Sequence, residues 1–302
     1  LISETNQVVV DSLGYTVKLE MKIILQSLFS TILIIILYFT STLTLRSFFL
    51  LHYSILIFVI ISGWRILSRN KVFIIKQLVV TKNDIISYTK EFFTYSHPLI
   101  VYSLVVFFNS IFDRWILQHY YGSEEQGYFS LAIKVAGIMF LFTSSMSTLL
   151  ARDMSQSYIN KSKTEIKLLF NRYVPLFYVI AVYFGAFIFL NSGIITFIIG
   201  GNEYKDAGVI ISILAFYPMH QTVGQLVGGV FTSTEQTKTM RNSGISTGFV
   251  GFFLTLLLVA PIELYGFGMG AVGLAIKLVI IQFFFVNILL FKGTRFLGLS
   301  FK

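Results

Sequence analysis

Long apolar runs separated by short polar connections organise this chain. Each run is about 20 residues long, is rich in Leu, Ile, Phe and Val, and lacks the period-two alternation of a membrane strand. A helix of that length crosses about 30 Å of hydrocarbon, at roughly 1.5 Å per residue. The pattern predicts about eight transmembrane helices, at approximately 22–40, 47–64, 96–117, 126–150, 173–199, 207–231, 242–260 and 266–291.

Composition supports an all-α polytopic membrane protein. The 302 residues are 55% hydrophobic and 12% charged, which is too apolar for a soluble domain. The chain has no cysteine, and its four histidines are scattered without metal-ligand spacing. There is also no phosphate-binding loop and no nucleophile with a base beside it. We therefore expect no enzyme activity, no cofactor and no metal.

The positive charges indicate how the helices are oriented. Most of the 23 Lys and Arg residues fall in the connections 65–91, 151–172 and 232–241 and in the tail from 292. Cytoplasmic loops retain positive charge, so the C-terminus is predicted to be cytoplasmic. The connection on the opposite side at 118–126 is acidic, through Glu124 and Glu125. The net charge of +9 is thus a topology signal, and we expect no nucleic-acid partner.

A polar and amphipathic segment at 65–95 separates two predicted helices from six. We expect 1–64 to be a remnant of an N-terminal lobe, 65–95 a cytoplasmic connector between lobes, and 96–302 a six-helix C-terminal lobe. Apolar residues and lysines alternate over 71–90, which suits a helix on the anionic inner leaflet or an ordinary connector. Because Leu1 is neither a Met nor part of a signal peptide, we expect a longer parent protein.

Charged residues inside the predicted spans are the first candidate functional residues. They are Asp113, Arg114, Lys134 and Lys277. Such residues are costly to insert, so they usually face a cavity or a partner. Lys134 and Lys277 would supply positive potential for a pyrophosphate group. In the alternative, Lys134 pairs with Asp113 and only fastens two helices, and Arg114 extends to the outer interface.

Polar faces on two predicted helices supply the remaining candidates. One face of 207–231 carries Tyr217, Gln221, Gln225 and Gly228 at helical spacing, which suits sugar hydroxyls. Pro218 allows a kink there. The alternative is interhelical hydrogen bonding, with Gly224 and Gly228 as a close-packing face.

A second polar face joins Tyr102, Asn109 and Asp113 on helix 96–117. His220 lies one residue off the glutamine face. His220 and Asp113 are the candidates for coupling to an ion gradient.

Several stretches resemble the polysaccharide flippases of the multidrug/oligosaccharidyl-lipid/polysaccharide exporter superfamily. The first is 90–100, which is similar to a cytoplasmic amphipathic turn ending in Pro at the entry to the family's seventh helix. The others are 111–117 with the following Gly127-Tyr128 and Lys134, the outer turn 198–207, and 265–275 at the start of the last helix. The resemblance covers about 83 to 291. The Pro that commonly follows the family's eighth helix is missing from 146–153.

The resemblance implies a two-lobe exporter of twelve or more helices, of which this chain supplies eight. It implies that the protein flips an undecaprenyl-pyrophosphate-linked oligosaccharide, an O-antigen or capsule repeat unit, from the cytoplasmic to the periplasmic leaflet of a bacterial inner membrane by alternating access. The implied partners are this substrate, the lipid bilayer, and the glycan polymerase and chain-length regulator of the same pathway.

Two alternatives stay open at this point. A drug or cation antiporter of the same superfamily would need intramembrane carboxylates, of which Asp113 is the only one. An integral membrane glycan polymerase typically has a large periplasmic loop, and the outer connections here are short.

Overall fold

The computed structural model describes Val10 and residues 16–42, 44–69 and 81–299, and every regular element among them is helical. The predicted all-α fold class is confirmed. The α-helices are α1 (Thr16–Phe39), α2 (Leu45–Arg69), α3 (Lys82–Gly137), α4 (Phe140–Ile159), α5 (Lys163–Leu190), α6 (Ser192–Gly200), α7 (Ala207–Leu214), α8 (Tyr217–Ser233), α9 (Thr237–Val259) and α10 (Gly270–Leu297). Short 3₁₀ helices occupy Asn202–Tyr204 and Ile262–Leu264.

Helices α1 and α2 belong to one compact unit, Leu1–Lys82, and the other unit is Asn83–Lys302. In the first unit the two helices pack together, and Gln26 Nε2 donates to the carbonyl of Ile55 at 3.2 Å. Most of their large apolar side chains are exposed, as expected for helices surrounded by hydrocarbon. The division falls within the predicted connector 65–95, whose position between two lobes stays a prediction.

Helix α3 is a hairpin of two arms, 82–121 and 123–137. Gly122 interrupts it with φ 80° and ψ −172°, a conformation that glycine adopts without strain. Arg114 Nη1 lies 2.7 Å from Ser130 Oγ. In a straight helix those two residues would be about 24 Å apart, so the chain must fold back on itself between them.

The start of α3 corrects the sequence prediction. The helix begins at Lys82, well before the predicted start at 96, and Asp84 in its first turn suits the positive end of the helix dipole. The turn predicted at 90–100 is wrong, because Pro98 lies inside the helix. A membrane helix tolerates such a Pro when neighbouring groups satisfy the freed carbonyl. The first half of the predicted surface helix 71–90 lies outside the described residues, and the part from Lys82 onward belongs to α3.

The predicted span 126–150 is also interrupted. A turn at Ile138 and Met139 follows Gly137, and the chain then continues as α4 to Ile159. Among the described residues, seven helical segments are long and apolar enough to cross a membrane when α3 is counted once. Because α3 doubles back, its second arm together with α4 corresponds to the additional predicted span.

The second unit is packed around α8, which contacts α4, α5, α9 and α10. Two turn residues, Ala215 and Phe216, separate α7 from α8 just before Pro218, so the predicted span 207–231 is divided into two helices next to the Pro expected to allow a kink. One apolar cluster joins the α3 hairpin to α7 and the first half of α10. A second joins α4, α5, α8 and the second half of α10.

Three glycines on α9 allow neighbouring helices to lie close to it: two face the first arm of α3 and one faces α10. A Cβ atom at Gly244 would lie 2.1 Å from Cδ2 of the Tyr102 ring, and one at Gly248 would lie 2.6 Å from Cγ1 of Val105. At Gly251 a Cβ would lie 3.3 Å from Cε of Lys277. Small residues at helical spacing allow this close approach. The glycines therefore determine how near the polar face of α3 lies to α9 and α10.

Candidate functional site

A cavity of about 870 Å³ lies among the α3 hairpin, α4, α8, α9 and α10. This volume is within the range of sites that enclose a drug-sized ligand. Seven of the residues predicted from sequence line it: Asn109, Asp113, Arg114, Tyr217, Gln221, Gln225 and Lys277. The polar faces predicted separately on α3 and α8 therefore converge on one space, together with the charged position on α10.

Asp113 is the centre of a buried charged cluster. Lys277 Nζ lies 2.6 Å from Asp113 Oδ2, and Thr255 Oγ1 donates to Asp113 Oδ1 at 2.6 Å. Asp113 is 7% exposed and Lys277 is 3% exposed. Gly251 leaves room for the lysine stem. We call Asp113, Thr255 and Lys277 the charged triad; it ties together α3, α9 and α10.

The triad overturns one alternative from the sequence. Asp113 pairs with Lys277 and not with Lys134, and the two partners are 164 residues apart along the chain. No local pattern indicates that contact, because it depends on how α3 packs against α10. The positive charge of Lys277 is therefore neutralised where it lines the cavity.

Arg114 gives the cavity lining an excess positive charge, because it and Lys277 share the single carboxylate among the described lining residues, that of Asp113. Its Nη1 donates to Ser130 Oγ at 2.7 Å, and its guanidinium carbon lies 4.8 Å from the centre of the Phe129 ring. Within the described part of the chain it forms no ion pair. A guanidinium has five N–H donors, so most of them stay available for a ligand. Arg114 lines the cavity, and its extension to the outer interface stays a prediction.

Lys134 and His220 do not line this cavity. Lys134 is exposed and follows Ile133, which does line it. His220 precedes Gln221 and packs edge-on against the Phe283 ring, with the ring centres 5.1 Å apart. The proposed roles of Lys134 in translocation and His220 in ion coupling stay predictions.

Amide side chains from three helices line the cavity near the triad. Asn109, Gln225 and Gln282, which we call the amide layer, each have a buried atom without a hydrogen-bond partner within the protein. These atoms are Asn109 Oδ1, Gln225 Oε1 and Gln282 Nε2. Buried polar atoms are nearly always paired, so three on residues that line the same cavity stand out.

The close-packing alternative for the glycines of α8 is supported at Gly224 but not at Gly228, where a Cβ would lie 3.5 Å from Cε of Met240, an ordinary contact. A Cβ at Gly224 would lie 2.8 Å from Cγ2 of Val286 and 3.1 Å from Gln282 Nε2. Gly224 is therefore a position of close packing against α10, and it also lines the cavity. Packing and cavity formation are two consequences of the same small side chain.

Sequence reasoning missed Gln282, Thr255 and the glycines of α9. Gln282 had a detectable signal, since it is an amide within an otherwise apolar run and lies just after Lys277. The spacing of Gly244, Gly248 and Gly251 was a second signal, because it places all three on one helix face.

The acidic connection predicted on the outer side fastens the α3 hairpin to α10. Glu125 Oε2 accepts a hydrogen bond from the backbone N of Ala271 at 2.9 Å, in the first turn of α10. A carboxylate at that end of a helix is favoured by the helix dipole. The Tyr128 hydroxyl donates to Glu124 at 2.5 Å. Within the described ranges, no group of three or more His, Cys, Asp or Glu side chains is arranged to hold a metal.

Comparison with known proteins supports the architecture. A sequence profile of the family described as MatE matches residues 98–257, more than half of the chain. The chain is 26% identical over 249 residues to the "Capsular polysaccharide biosynthesis protein CapF" of Staphylococcus aureus. That alignment covers 80% of this chain and 59% of the relative, so the chain spans less than two thirds of that protein's length.

Solved structures give the same fold. One is the outward-facing conformation of a multidrug resistance MATE family transporter of the MOP superfamily, with a TM-score of 0.67, 12% identity, and coverage of 82% of this chain and 56% of that one. Another, a crystal structure of MATE in the straight conformation, has a TM-score of 0.64, 14% identity, and coverage of 82% and 56%. At these identities the likeness shows the fold alone.

Proposed function

The chain belongs to the MatE family, and we propose that it forms part of a membrane transporter that flips a lipid-linked oligosaccharide by alternating access. The substrate is an isoprenoid pyrophosphate that carries a polysaccharide repeat unit. It moves from the cytoplasmic to the periplasmic leaflet of a bacterial inner membrane.

The charge balance of the cavity is the observation that carries this proposal. Its one acidic side chain among the described residues, Asp113, is already neutralised by Lys277. Arg114 then leaves the lining with an excess positive charge. In a low-dielectric cavity such a charge favours an anion, and a guanidinium binds phosphate oxygens in a bidentate manner. A pyrophosphate group satisfies both conditions.

Two further observations support the oligosaccharide part. The cavity lining also carries amide side chains and Tyr217, which can exchange hydrogen bonds with hydroxyl groups. The relative from Staphylococcus aureus is described as a capsular polysaccharide biosynthesis protein. This proposal revises the sequence prediction for the headgroup, because Arg114 replaces Lys134 and Lys277 as its principal positive contact.

A drug or cation antiporter is the second candidate, and Asp113 in the cavity is the observation that favours it. For Asp113 to bind a cationic ligand, its 2.6 Å contact with Lys277 must break. The displaced ammonium would then stay in the same cavity and repel the cation. The lining therefore favours an anionic substrate over a cationic one.

Orientation and partners follow from the same proposal. We propose a cytoplasmic C-terminus, because the positively charged connections lie on the same side as the tail. The proposed partners are the lipid-linked oligosaccharide, the bilayer, and the glycan polymerase and chain-length regulator that act on the flipped product.

Complementation tests the proposed function. The full-length protein is expressed in a bacterium that lacks its polysaccharide flippase, as wild type, as Arg114→Gln and as Arg295→Gln. The last variant removes an exposed charge in the final turn of α10, outside the cavity. Surface polysaccharide and cytoplasm-facing lipid-linked repeat units are measured at matched membrane levels.

Wild type and Arg295→Gln should restore surface polysaccharide, whereas Arg114→Gln should accumulate repeat units on the cytoplasmic side. If wild type restores no glycan but expels cationic dyes, the antiporter replaces the flippase as the proposed function.

A further inference from the structure

We infer that the amide layer is a subsite for a neutral, hydroxyl-bearing group: the sugar attached directly to the pyrophosphate. This inference rests on the proposed function and adds the residues that distinguish a glycosylated lipid from a bare lipid pyrophosphate. It gives the three amides a role separate from that of Arg114.

Hydrogen-bond geometry identifies the kind of group that fits. Asn109 lines the cavity, and its Nδ2 donates to the carbonyl of Val105 at 2.9 Å, so the amide orientation is fixed and Oδ1 is left as a buried acceptor without a partner in the protein. Gln225 Oε1 is a second acceptor without a partner in the protein. Gln282 Nε2 is a donor without one. A complementary ligand must both donate and accept hydrogen bonds.

Hydroxyl groups meet that requirement, because each one donates a hydrogen bond and also accepts them. A phosphate dianion or a carboxylate only accepts, so it would leave Asn109 Oδ1 and Gln225 Oε1 unpaired. A hydrocarbon tail would leave all three atoms unpaired, which is costly for buried polar groups. The amide layer therefore favours a polyhydroxylated group over either end of a lipid pyrophosphate.

The position of the amide layer identifies which sugar it would meet. Asn109 precedes Asp113 by four residues on α3, about 6 Å along the helix, and Arg114 follows directly. Gln282 follows Lys277 by five residues on α10, about 7.5 Å. A ligand whose pyrophosphate contacts Arg114 would thus place its first sugar beside the amides.

Gln282 provides the observation that separates a binding role from a packing role. It is 8% exposed, lines the cavity, and has no partner in the protein for its Nε2 atom. An amide that served packing between helices would have that donor satisfied by the neighbouring helix. Replacing it with an apolar side chain of the same shape should then leave the fold intact and remove only ligand binding.

Binding measurements on the purified protein in lipid nanodiscs test the inference. Three ligands are used: farnesyl pyrophosphate carrying a disaccharide, farnesyl pyrophosphate alone, and a farnesyl glycoside of the same disaccharide without phosphate. The variants are Gln282→Met and Gln225→Met. Asn287→Leu is the matched control, because this amide lies on the same helix outside the cavity and donates to the carbonyl of Phe283 at 2.8 Å.

Gln282→Met and Gln225→Met should each bind the glycosylated pyrophosphate roughly three- to tenfold more weakly, the effect of losing one hydrogen bond. Binding of farnesyl pyrophosphate alone should not change, and Asn287→Leu should match wild type with all ligands. The thermal unfolding midpoint of Gln282→Met should stay at the wild-type value or rise. A midpoint that falls together with the affinities for both pyrophosphates would show a structural role and overturn the inference.

The other outcomes separate the inference from the proposed function. If wild type binds both pyrophosphates but the amide variants do not change the preference for the glycosylated one, the sugar subsite fails and the proposed function stands. If wild type binds only the neutral glycoside, and Gln282→Met weakens that binding, the subsite stands and the anionic headgroup site fails. If wild type binds none of the three ligands, both fail.

Discussion

The charged triad and the amide layer lie about one helical turn apart along α3, yet their hydrogen-bonding states are opposite. Each oxygen of Asp113 has a partner from another helix, in Thr255 and Lys277. Each residue of the amide layer has a buried atom with none in the protein. The charged triad connects α3, α9 and α10, whereas the amide layer keeps unpaired hydrogen-bonding atoms that a ligand can use. A buried side chain with an unpaired hydrogen-bonding atom is therefore a better candidate for ligand binding than a charged side chain whose partners are all within the protein.

The largest loss of stability is expected when the charged triad loses its lysine. Lys277→Met leaves Asp113 buried without a counter-charge, which typically costs about 3–5 kcal/mol of stability. Combining it with Asp113→Leu should recover most of that loss, because an apolar pair of similar volume needs no charge compensation. Denaturant unfolding in detergent of wild type, both single variants and the double variant measures the coupling. A double variant as unstable as the sum of both singles would contradict this role.

A smaller effect is expected from removing the hydroxyl of the triad. Thr255→Val removes a 2.6 Å hydrogen bond to the buried carboxylate, which is worth about 1.5–3 kcal/mol when one partner is charged. Thr247→Val on the same helix is the control, since that hydroxyl bonds to the carbonyls of Ser243 and Gly244 in its own helix. Comparing the two unfolding free energies checks this prediction. Equal losses would mean that the Thr255 contact adds nothing to the triad.

A substitution on the glycine face of α9 tests whether the charged triad and the amide layer depend on the close approach of α3. A Cβ at Gly244 would overlap the Tyr102 ring, so Gly244→Ala should force a displacement and cost about 1–3 kcal/mol. Gly137→Ala is the matched control, because a Cβ at that position would meet no atom within 4 Å. The control should be neutral or slightly stabilising. If Gly244→Ala is equally neutral in the same unfolding assay, the separation of α3 and α9 does not depend on this glycine.

The smallest effect on stability is expected in the amide layer. Gln225→Met removes an amide whose Oε1 has no partner in the protein, so the unfolding free energy should change by less than about 0.5 kcal/mol. The same unfolding assay measures this value beside that of Thr255→Val. A loss as large as that of Thr255→Val would show that Gln225 has a structural partner, and would remove the contrast between the two regions.

The helices and the polar faces could be predicted from the sequence because each one is a local pattern. Apolar runs indicated the helices, and i, i+4 spacing placed Tyr217, Gln221 and Gln225 on the face of α8 that lines the cavity. The pairing of Asp113 with Lys277 could not be predicted in this way, because it depends on the packing of helices distant in sequence. The position of Lys134 outside the cavity lining could not be predicted either. Gly122 sets the direction of the second arm of α3, and thereby which of its residues face inward.

Element boundaries were predictable only where the pattern changed sharply. The start of α10 at Gly270, later than the predicted 266, follows from hydrogen bonding of the preceding segment. The backbone N–H groups of Phe267, Gly268 and Met269 donate to carbonyls at the end of α9. Those residues are apolar or glycine like the helix that follows, so composition alone does not separate them from it.

Protection of a single cysteine by bound ligand tests whether the cavity binds a glycosylated lipid through its amide layer. The chain has no native cysteine, so Thr148→Cys places one thiol on the α4 wall of the cavity, and Asn160→Cys places one in the exposed turn before α5. Labelling rates with a water-soluble thiol reagent are measured with and without the farnesyl-pyrophosphate-linked disaccharide. The ligand should slow labelling of Thr148→Cys but not of Asn160→Cys, and adding Gln282→Met should weaken this protection. Labelling of Thr148→Cys that is the same with and without saturating ligand would contradict this expectation.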